Sequence, residues 1–466
     1  MDKTIKRSRL LLLYPNEQTS LFFILICTIL SMIMFQGLYF PVNAGMVKTF
    51  TPRISIYEQY SDNIDLISNL ELYKLDKNSD WLTMASPGFS LNLDSLKTKM
   101  RFDYETRITF YHKEKNKGKN NDFHYVTAQW EQQVNRNIKF DVKDTFSRSD
   151  DPILVSKEGV IEEVAERRIY YRNNGQISLS IRLSADSSIA LGYINLYLDN
   201  KSVNYEDSIG HEFFFNLDTK INPYWKIGLE SRTNRGKFKQ PEGFTGWDPQ
   251  DFYDQEGVIT LSYLRHPSRS LFARYSLLAK KYDNPYITEF WLHQASVGLN
   301  LILSTNTNFS IEGGYFLQDF PNDRESENGA RFNIALNTQK KKFAVNIGSS
   351  GGFTQDYFSS ENLGSSKFNQ VLGSVNYLIS KDLSAFLSAN YQWQDFLGEN
   401  QGNRKDNVWR TSGGFYFSFS DWLTLSIEEA YSERRSESDL VFNRHPEFIR
   451  ENRVMLRLTA GYSIRI

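Results

Sequence analysis

Residues 99–110 read KMRFDYETRITF and alternate between charged or polar and apolar side chains. One face of such a strand carries Lys99, Arg101, Asp103, Glu105 and Arg107. The opposite face carries Met100, Phe102, Tyr104, Ile108 and Phe110. Because successive side chains of a β-strand point to opposite faces, this segment needs an apolar environment on one side and water on the other. Its length suits a tilted strand that crosses a bilayer.

The same alternation recurs to the end of the chain. In residues 138–146 the polar face carries Lys139, Asp141 and Lys143, and in residues 453–466 it includes Arg457 and Arg465. A long amphipathic C-terminal strand resembles the assembly signal of bacterial outer-membrane barrels, with Ile466 in place of the usual aromatic residue. This resemblance implies contact with the barrel-assembly machinery.

Short polar turns alternate with long polar segments along the chain, for example residues 135–137 with residues 147–168. This asymmetry is typical of outer-membrane barrels, which have tight periplasmic turns and longer outside loops. We therefore predict an all-β, transmembrane, antiparallel up-and-down barrel over residues 45–466, in which hairpin counting gives about twenty strands. A soluble β-sandwich is the alternative, but its strands average only about 5 to 6 residues.

The N-terminal segment has the features of a secretory signal. Lys3, Lys6, Arg7 and Arg9 precede a mainly apolar run over residues 21–40, and small residues lead up to Ala44. We predict a signal peptide over residues 1–44. An uncleaved anchor helix is the alternative, since about 20 apolar residues can span a bilayer.

Composition excludes several classes of protein. The 466 residues are 15% aromatic with a mean hydropathy of −0.48, which a polytopic helical membrane protein would not show. Removal of residues 1–44 leaves 50 basic and 53 acidic residues and removes Cys27, the only cysteine. The near-neutral charge gives no indication of a nucleic-acid partner. The mature chain has no thiolate for metal binding or catalysis.

Three segments carry a resemblance to a known family. They are residues 50–64 (FTPRISIYEQYSDNI), 80–89 (DWLTMASPGF) and 144–152 (DTFSRSDDP). They resemble the β-barrel porin type 2 family, in particular barrels associated with exosortase (PEP-CTERM) and exopolysaccharide gene clusters. The resemblance implies about eighteen strands, within 16 to 20, in the outer membrane of a Gram-negative bacterium. It also implies export of a secreted polysaccharide with a periplasmic polysaccharide-export protein.

The sequence contains neither H-E-x-x-H, the motif of zinc proteases, nor G-x-x-x-x-G-K, the motif of P-loop nucleotide-binding proteins. The six histidines are scattered, so we predict no catalytic residues, metal site or cofactor. Residues 266–268 (HPS) contain a histidine and a serine that a barrel phospholipase would need. Their position in a predicted short turn favours simple turn chemistry.

The alternating charges predict a polar lumen. We expect pore-lining positions at Lys99, Arg101, Asp103, Glu105, Arg107, Lys139, Asp141, Lys143, Arg457 and Arg465. Charges of both signs keep such a wall hydrated and impose a field on what passes. Alternatively, they brace a wide barrel through cross-strand ion pairs.

Aromatic residues at predicted strand ends, such as Trp291 and Trp409, indicate membrane-interface girdles. In the long segment 236–257, aromatic rings are interleaved with aspartates, a pattern that suits sugar contact. The candidate residues are Trp247, Asp248, Phe252 and Tyr253. A self-packed loop is the alternative interpretation, and the spacing does not suit a calcium loop.

The sequence and the resemblance together suggest a polysaccharide conduit. Its expected partners are outer-membrane lipid and lipopolysaccharide, the polymer itself and the periplasmic export protein. A general diffusion porin for small solutes is one alternative. A surface barrel that binds carbohydrate or anchors a capsule is another.

Overall fold

A computed structural model describes the strands of the chain and several of their connections. The described residues are 47–66, 78–113, 115–116, 121–150, 153–155, 161–163, 169–201, 206–239, 251–266, 268–285, 287–321, 325–356, 364–397, 404–437 and 447–465. The predicted signal peptide over residues 1–44 lies outside them. Among these residues, no helix is long and apolar enough to span a membrane.

The described residues form strands of up to 16 residues, as the alternating sequence predicts. In chain order they are β1 Val47–Ser61, β2 Asp80–Asp94, β3 Thr98–Tyr111, β4 Asn121–Gln133, β5 Ile138–Ser149, β6 Ile153–Val155, β7 Ile161–Glu163, β8 Tyr170–Arg182, β9 Ser187–Asn200, β10 Asp207–Asn222, β11 Trp225–Lys239, β12 Phe252–His266, β13 Arg269–Tyr282, β14 Phe290–Ser304, β15 Thr307–Asp319, β16 Glu327–Gln339, β17 Phe343–Asp356, β18 Gly364–Leu378, β19 Leu383–Phe396, β20 Lys405–Ser420, β21 Leu423–Glu437, β22 Glu447–Gly461 and β23 Ile464–Arg465.

The sheet closes on itself. Each long strand pairs antiparallel with its neighbours in sequence, and β1 pairs with β2 on one side and with β22 and β23 on the other. β6 and β7 form a separate hairpin. In the described residues the barrel wall therefore has twenty long strands. The all-β barrel is confirmed, with the strand number that hairpin counting gives and two more than the family resemblance implies.

The two ends of the barrel differ. At one end the strands are joined by short connections, such as residues 223–224 between β10 and β11. At the other end the connections are longer, such as residues 150–169 between β5 and β8. We call these the turn end and the loop end. In outer-membrane barrels the turn end faces the periplasm.

The outer face is apolar. Val297 on β14 is 65% exposed and Leu387 on β19 is 61% exposed, which a soluble protein would not favour on a continuous surface. Exposed aromatic rings lie at both borders of this belt: Trp81, Tyr253, Trp291, Tyr315 and Trp409 toward the loop end, and Tyr224, Trp225, Tyr377, Trp422 and Tyr462 toward the turn end. A closed barrel satisfies every strand edge within a bilayer. The protein therefore resides in the outer membrane, with this belt suited to lipid contact.

The apolar core lies inside the barrel at the loop end. There the inner face of most strands carries a buried apolar side chain. These residues are Leu82, Met84, Phe123, Tyr170, Leu198, Phe238, Phe252, Phe290, Leu292, Phe316, Phe353, Phe368, Phe396, Val408 and Ile449. Inward side chains of a water-filled pore would be exposed, so at this end these side chains pack against other residues and do not face water.

Candidate functional site

Strand pairing places the charged residues of β3 on the inner face. Arg101 pairs with Asn92 of β2, which pairs with Thr49 of β1. Thr49 in turn pairs with Arg465 of β23, so Arg101 and Arg465 lie in one lateral row. Their face is opposite to the exposed Ile54 and Ile108 of β1 and β3. Lys99, Asp103, Glu105 and Arg107 follow the same period and therefore also face the lumen.

The polar residues of β5 continue this inner wall. Lys99 pairs with Glu131 of β4, and Glu131 pairs with Asp141. The Lys139 Nζ atom lies 2.9 Å from Glu131 Oε2 and 3.9 Å from Asp141 Oδ2. Lys143 pairs with Gln129 in the neighbouring row. Charges of both signs thus alternate across β3, β4 and β5.

A cavity of about 500 Å³ lies against this wall, where the first and last strands meet. It is lined by residues of β1 to β4, β21 and β22: Arg53, Tyr57, Gln59, Met84, Asp103, Glu105, Arg107, Tyr125, Thr127, Glu428, Ala430, Arg453 and Met455. This volume lies within the range of about 300 to 1,000 Å³ that small-molecule sites occupy. The cavity is the candidate binding site.

Ion pairs hold two of the cavity carboxylates. Arg53 Nη2 on β1 lies 3.0 Å from Glu105 Oε2 on β3. Asp103 accepts hydrogen bonds from the Arg101 guanidinium and from the Ser90 hydroxyl. These contacts fix the carboxylates along one side of the cavity.

Arg107 is held by aromatic rings. Its guanidinium carbon lies 4.7 Å from the Phe123 ring centroid and 5.9 Å from that of Tyr125. Arg107 Nη2 also lies 3.4 Å from Asp150 Oδ1. Because a guanidinium plane stacks well on aromatic faces, the two rings of β4 orient Arg107 toward the cavity.

The last long strand, β22, pairs with β1 and supplies the other side of the cavity. The Arg457 guanidinium lies 4.8 Å from the Tyr57 ring centroid across the β1–β22 seam. Arg453 Nε lies 3.6 Å from Glu451 Oε2. Glu428 on β21 also lines the cavity and makes no ion pair with the described residues. The seam is therefore polar on both sides of β1.

The residues predicted to contact sugar do not form a loop site. Trp247 and Asp248 lie outside the described residues. Phe252 and Tyr253 belong to β12 and point in opposite directions, with Phe252 buried inside the barrel and Tyr253 exposed on the outer face. Since Phe252 packs against Phe238 and Tyr282, its ring is part of the loop-end core.

Beside Phe252 lies a buried charge. The Lys280 Nζ atom is 3.4 Å from the Phe252 ring centroid, 3.5 Å from Asp254 Oδ2 and 3.2 Å from Gln355 Oε1. The Lys280 side chain is 0% exposed. Burial of an ammonium group requires such partners.

The histidines of the described strands do not converge. No group of three metal-ligating side chains occurs among the described residues. Instead, Tyr193 and Tyr275 each share a hydrogen bond with a histidine on the next strand, at 2.7 Å to His211 and 2.8 Å to His293. His266 Nδ1 lies 2.7 Å from Ser268 Oγ in the connection between β12 and β13, as turn chemistry predicts.

Sequence reasoning missed Arg53, Glu428 and Arg453. Each shares the inner-face period of its own strand, which the sequence shows. What the sequence does not show is that β22 pairs with β1, because this seam joins residues about four hundred positions apart. Without that pairing the three residues have no common location.

Comparison with protein-family models and with curated proteins finds no match. Solved structures of similar fold include the siderophore receptor PirA from Pseudomonas aeruginosa, at 10% identity and a TM-score of 0.50, with 89% of this chain and 80% of that chain covered. The FrpB iron transporter from Neisseria meningitidis is similar at 10% identity and a TM-score of 0.50, with coverage of 90% and 82%. The ferric enterobactin receptor PfeA from Pseudomonas aeruginosa has the same identity and TM-score, with coverage of 89% and 81%.

These comparisons correct the expected function. The prediction of a polysaccharide conduit is wrong, because the solved proteins that share this barrel are receptors for siderophores and an iron transporter. None of the three is described as a polysaccharide exporter. At this identity the likeness shows the fold, which is that of a large outer-membrane barrel.

Proposed function

We propose that the protein is an outer-membrane transporter that takes up a small polar ligand and whose lumen is closed at the loop end in the resting state. The contrast between the two halves of the lumen carries this proposal. Toward the turn end the inward Arg101 side chain is 60% exposed, so water reaches this half of the lumen. Toward the loop end the inward Phe290 and Phe316 are buried, so this half is packed.

This contrast favours a closed transporter over a permanent channel. Barrels of 16 to 18 strands that serve as porins leave a continuous aqueous channel, whereas larger outer-membrane transporters have an obstructed lumen. In this barrel the ring centroid of Phe353 on β17 lies 6.2 Å from that of Phe290 and 5.8 Å from that of Phe316. Apolar contacts between these strands fill space that an open channel would leave to water.

The ligands of the structural neighbours provide the first compounds to test. PirA is described as a siderophore receptor, and FrpB as an iron transporter. The cavity of about 500 Å³ is large enough for part or all of a small chelate. We propose ferric siderophores as the leading ligand class.

Uptake in cells tests this function. A strain that lacks the gene and the same strain with the gene restored are grown in iron-limited medium, and accumulation of radioactive iron is measured for a panel of ferric siderophores that includes ferric enterobactin. We expect the deletion to lower accumulation of at least one member of the panel, with recovery on restoration. Glucose uptake, which should not change, controls for membrane damage. If the deletion strain and the restored strain accumulate equal amounts of iron from every siderophore of the panel, the proposal is contradicted.

A further inference from the structure

The cavity at the barrel seam has two guanidinium groups with unused donors. An arginine side chain offers five N–H donors. In the part of the chain that the structure describes, Arg53 contacts one carboxylate, that of Glu105, and Arg107 contacts one, that of Asp150. The Nε atoms of both arginines are buried and make no hydrogen bond with the described residues. Unused donors of this kind are costly unless an acceptor reaches the same groups.

Both groups line the same cavity and are held in place. Arg53 contacts Glu105, and Arg107 lies two residues further along the same face of β3. Phe123 and Tyr125 support the guanidinium of Arg107 from the side of β4. A pair of guanidinium groups fixed in this way is arranged to bind an oxyanion before any ligand arrives.

The charge of the cavity indicates the kind of oxyanion. Its lining contains three guanidinium groups, from Arg53, Arg107 and Arg453, and three carboxylates, from Asp103, Glu105 and Glu428. The lining is therefore neutral. A carboxylate adds one negative charge, whereas a phosphate monoester adds about 1.5 to 2 at neutral pH and meets stronger repulsion from the three acidic residues.

We propose that Arg53 and Arg107 bind a carboxylate group of the ligand at the seam of the barrel. Placing this carboxylate on a transported ligand rests on the proposed uptake function, whereas the binding site itself does not. The rest of the ligand then contacts Tyr57, Met84 and Met455, which give the cavity a partly apolar surface. Glu428 on the opposite side favours a ligand that carries a hydroxyl or amine donor at its far end.

Binding to the purified barrel in detergent tests the site without transport. Gluconate is the probe, and glucitol, a polyol of similar size without the carboxylate, is its matched control. Saturation-transfer NMR titrations give the two dissociation constants. We expect gluconate to bind at least about tenfold more tightly than glucitol, since glucitol cannot form the charge-assisted hydrogen bonds that a carboxylate makes with guanidinium groups. Equal affinities, or tighter binding of inorganic phosphate, would overturn the proposal.

Variants locate the site. Arg107→Gln should weaken gluconate binding at least about tenfold. Arg107→Lys, which keeps the charge and loses the planar fork, should give an intermediate affinity. Arg232→Gln is the matched control, since Arg232 also lies on the inner face beside a carboxylate, Glu230, but on β11 away from the cavity. It should bind gluconate within about twofold of the wild type. A loss in Arg232→Gln equal to that in Arg107→Gln would overturn the site.

Two readouts keep the outcomes separate. The faster migration of folded barrels on unheated gels shows whether each variant is folded. If Arg107→Gln does not fold, the affinity of Arg107→Lys provides the test. Gluconate binding that depends on Arg107 supports the site even where the deletion strain accumulates iron normally, a result that contradicts only the uptake function. Gluconate binding that does not depend on Arg107 overturns the site, whatever the result of the uptake experiment in cells.

Discussion

Lys280 and Gln355 meet inside the barrel although they lie on β13 and β17, four strands apart. The Lys280 Nζ atom is 3.2 Å from Gln355 Oε1. Neighbouring strands lie about 4.8 Å apart, so an evenly curved wall would separate these two backbones by about 19 Å. Two extended side chains do not cover that distance. The wall therefore bends inward here, and this bend brings Phe290, Phe316 and Phe353 into contact at the loop end.

Replacement of Lys280 tests whether this packed end stabilises the fold. Lys280→Met removes the cationic partner of the buried Asp254 carboxylate, which keeps only neutral donors such as the Asn234 amide, and we expect the free energy of unfolding to fall by about 3 to 5 kcal/mol. Denaturant titration followed by tryptophan fluorescence measures the change. The adjacent Lys281 is 64% exposed and serves as the control, with an expected change within about 0.5 kcal/mol for Lys281→Met. Equal losses of unfolding free energy in the two variants would show that the buried Lys280 does not stabilise the loop end.

A charge on the outer belt tests the membrane orientation. Val297 lies near the middle of β14 on the outer face, so Val297→Arg should destabilise the barrel in lipid vesicles by about 2 to 4 kcal/mol. Leu303 is on the same face of the same strand close to the turn end, where Leu303→Arg should cost about 0 to 1 kcal/mol. If position 303 proved the more sensitive one, the assigned depth of β14 would be wrong.

Close packing across strands depends on glycine at position 192. A Cβ atom at Gly192 would overlap the ring of Phe214 and would lie 2.8 Å from the carbonyl oxygen of Ile177. We expect Gly192→Ala to cost about 1 to 3 kcal/mol, as overpacking usually does. A Cβ atom at Gly257 meets nothing within 4 Å, so Gly257→Ala should be tolerated. Similar denaturation midpoints for both variants would contradict the close contact at Gly192.

The aromatic contacts at the loop end should control ion flow. Phe353→Ala removes the ring that touches both Phe290 and Phe316, and we expect larger and more frequent openings in planar bilayers. Phe213 on the outer face is the control, because Phe213→Ala removes a ring of the same size from the lipid side. Identical current traces from both variants would show that the Phe353 ring does not restrict the lumen.

The architecture was largely predictable from sequence because period-two alternation is a local property. Residues 99–110 show both faces of a membrane strand without any knowledge of their neighbours, and counting hairpins gives the twenty strands of the wall. The same period groups Lys99 to Arg107 on one side. The function that the resemblance implied was wrong, and its central strand number of about eighteen is two below the observed twenty, since short similar segments specify neither barrel size nor cargo.

The loop-end core was not predicted, because Phe252 was assigned to a sugar-contact loop and inward aromatic residues were not separated from outward ones. Parity distinguishes the two groups: Phe252 has the period of the inward Asp254, whereas Tyr253 has the opposite one. The cavity was missed for a different reason. Its residues come together only when β22 closes on β1, a pairing that depends on the complete barrel and not on any local pattern.

The steady conductance of the purified wild-type barrel in a planar bilayer tests the closed-transporter proposal most directly. The packed loop end predicts a resting current close to that of the bare membrane, with brief openings at most. A stable, ligand-independent current as large as that of a porin of 16 to 18 strands would contradict it, since water and ions would then cross the lumen past Phe290, Phe316 and Phe353.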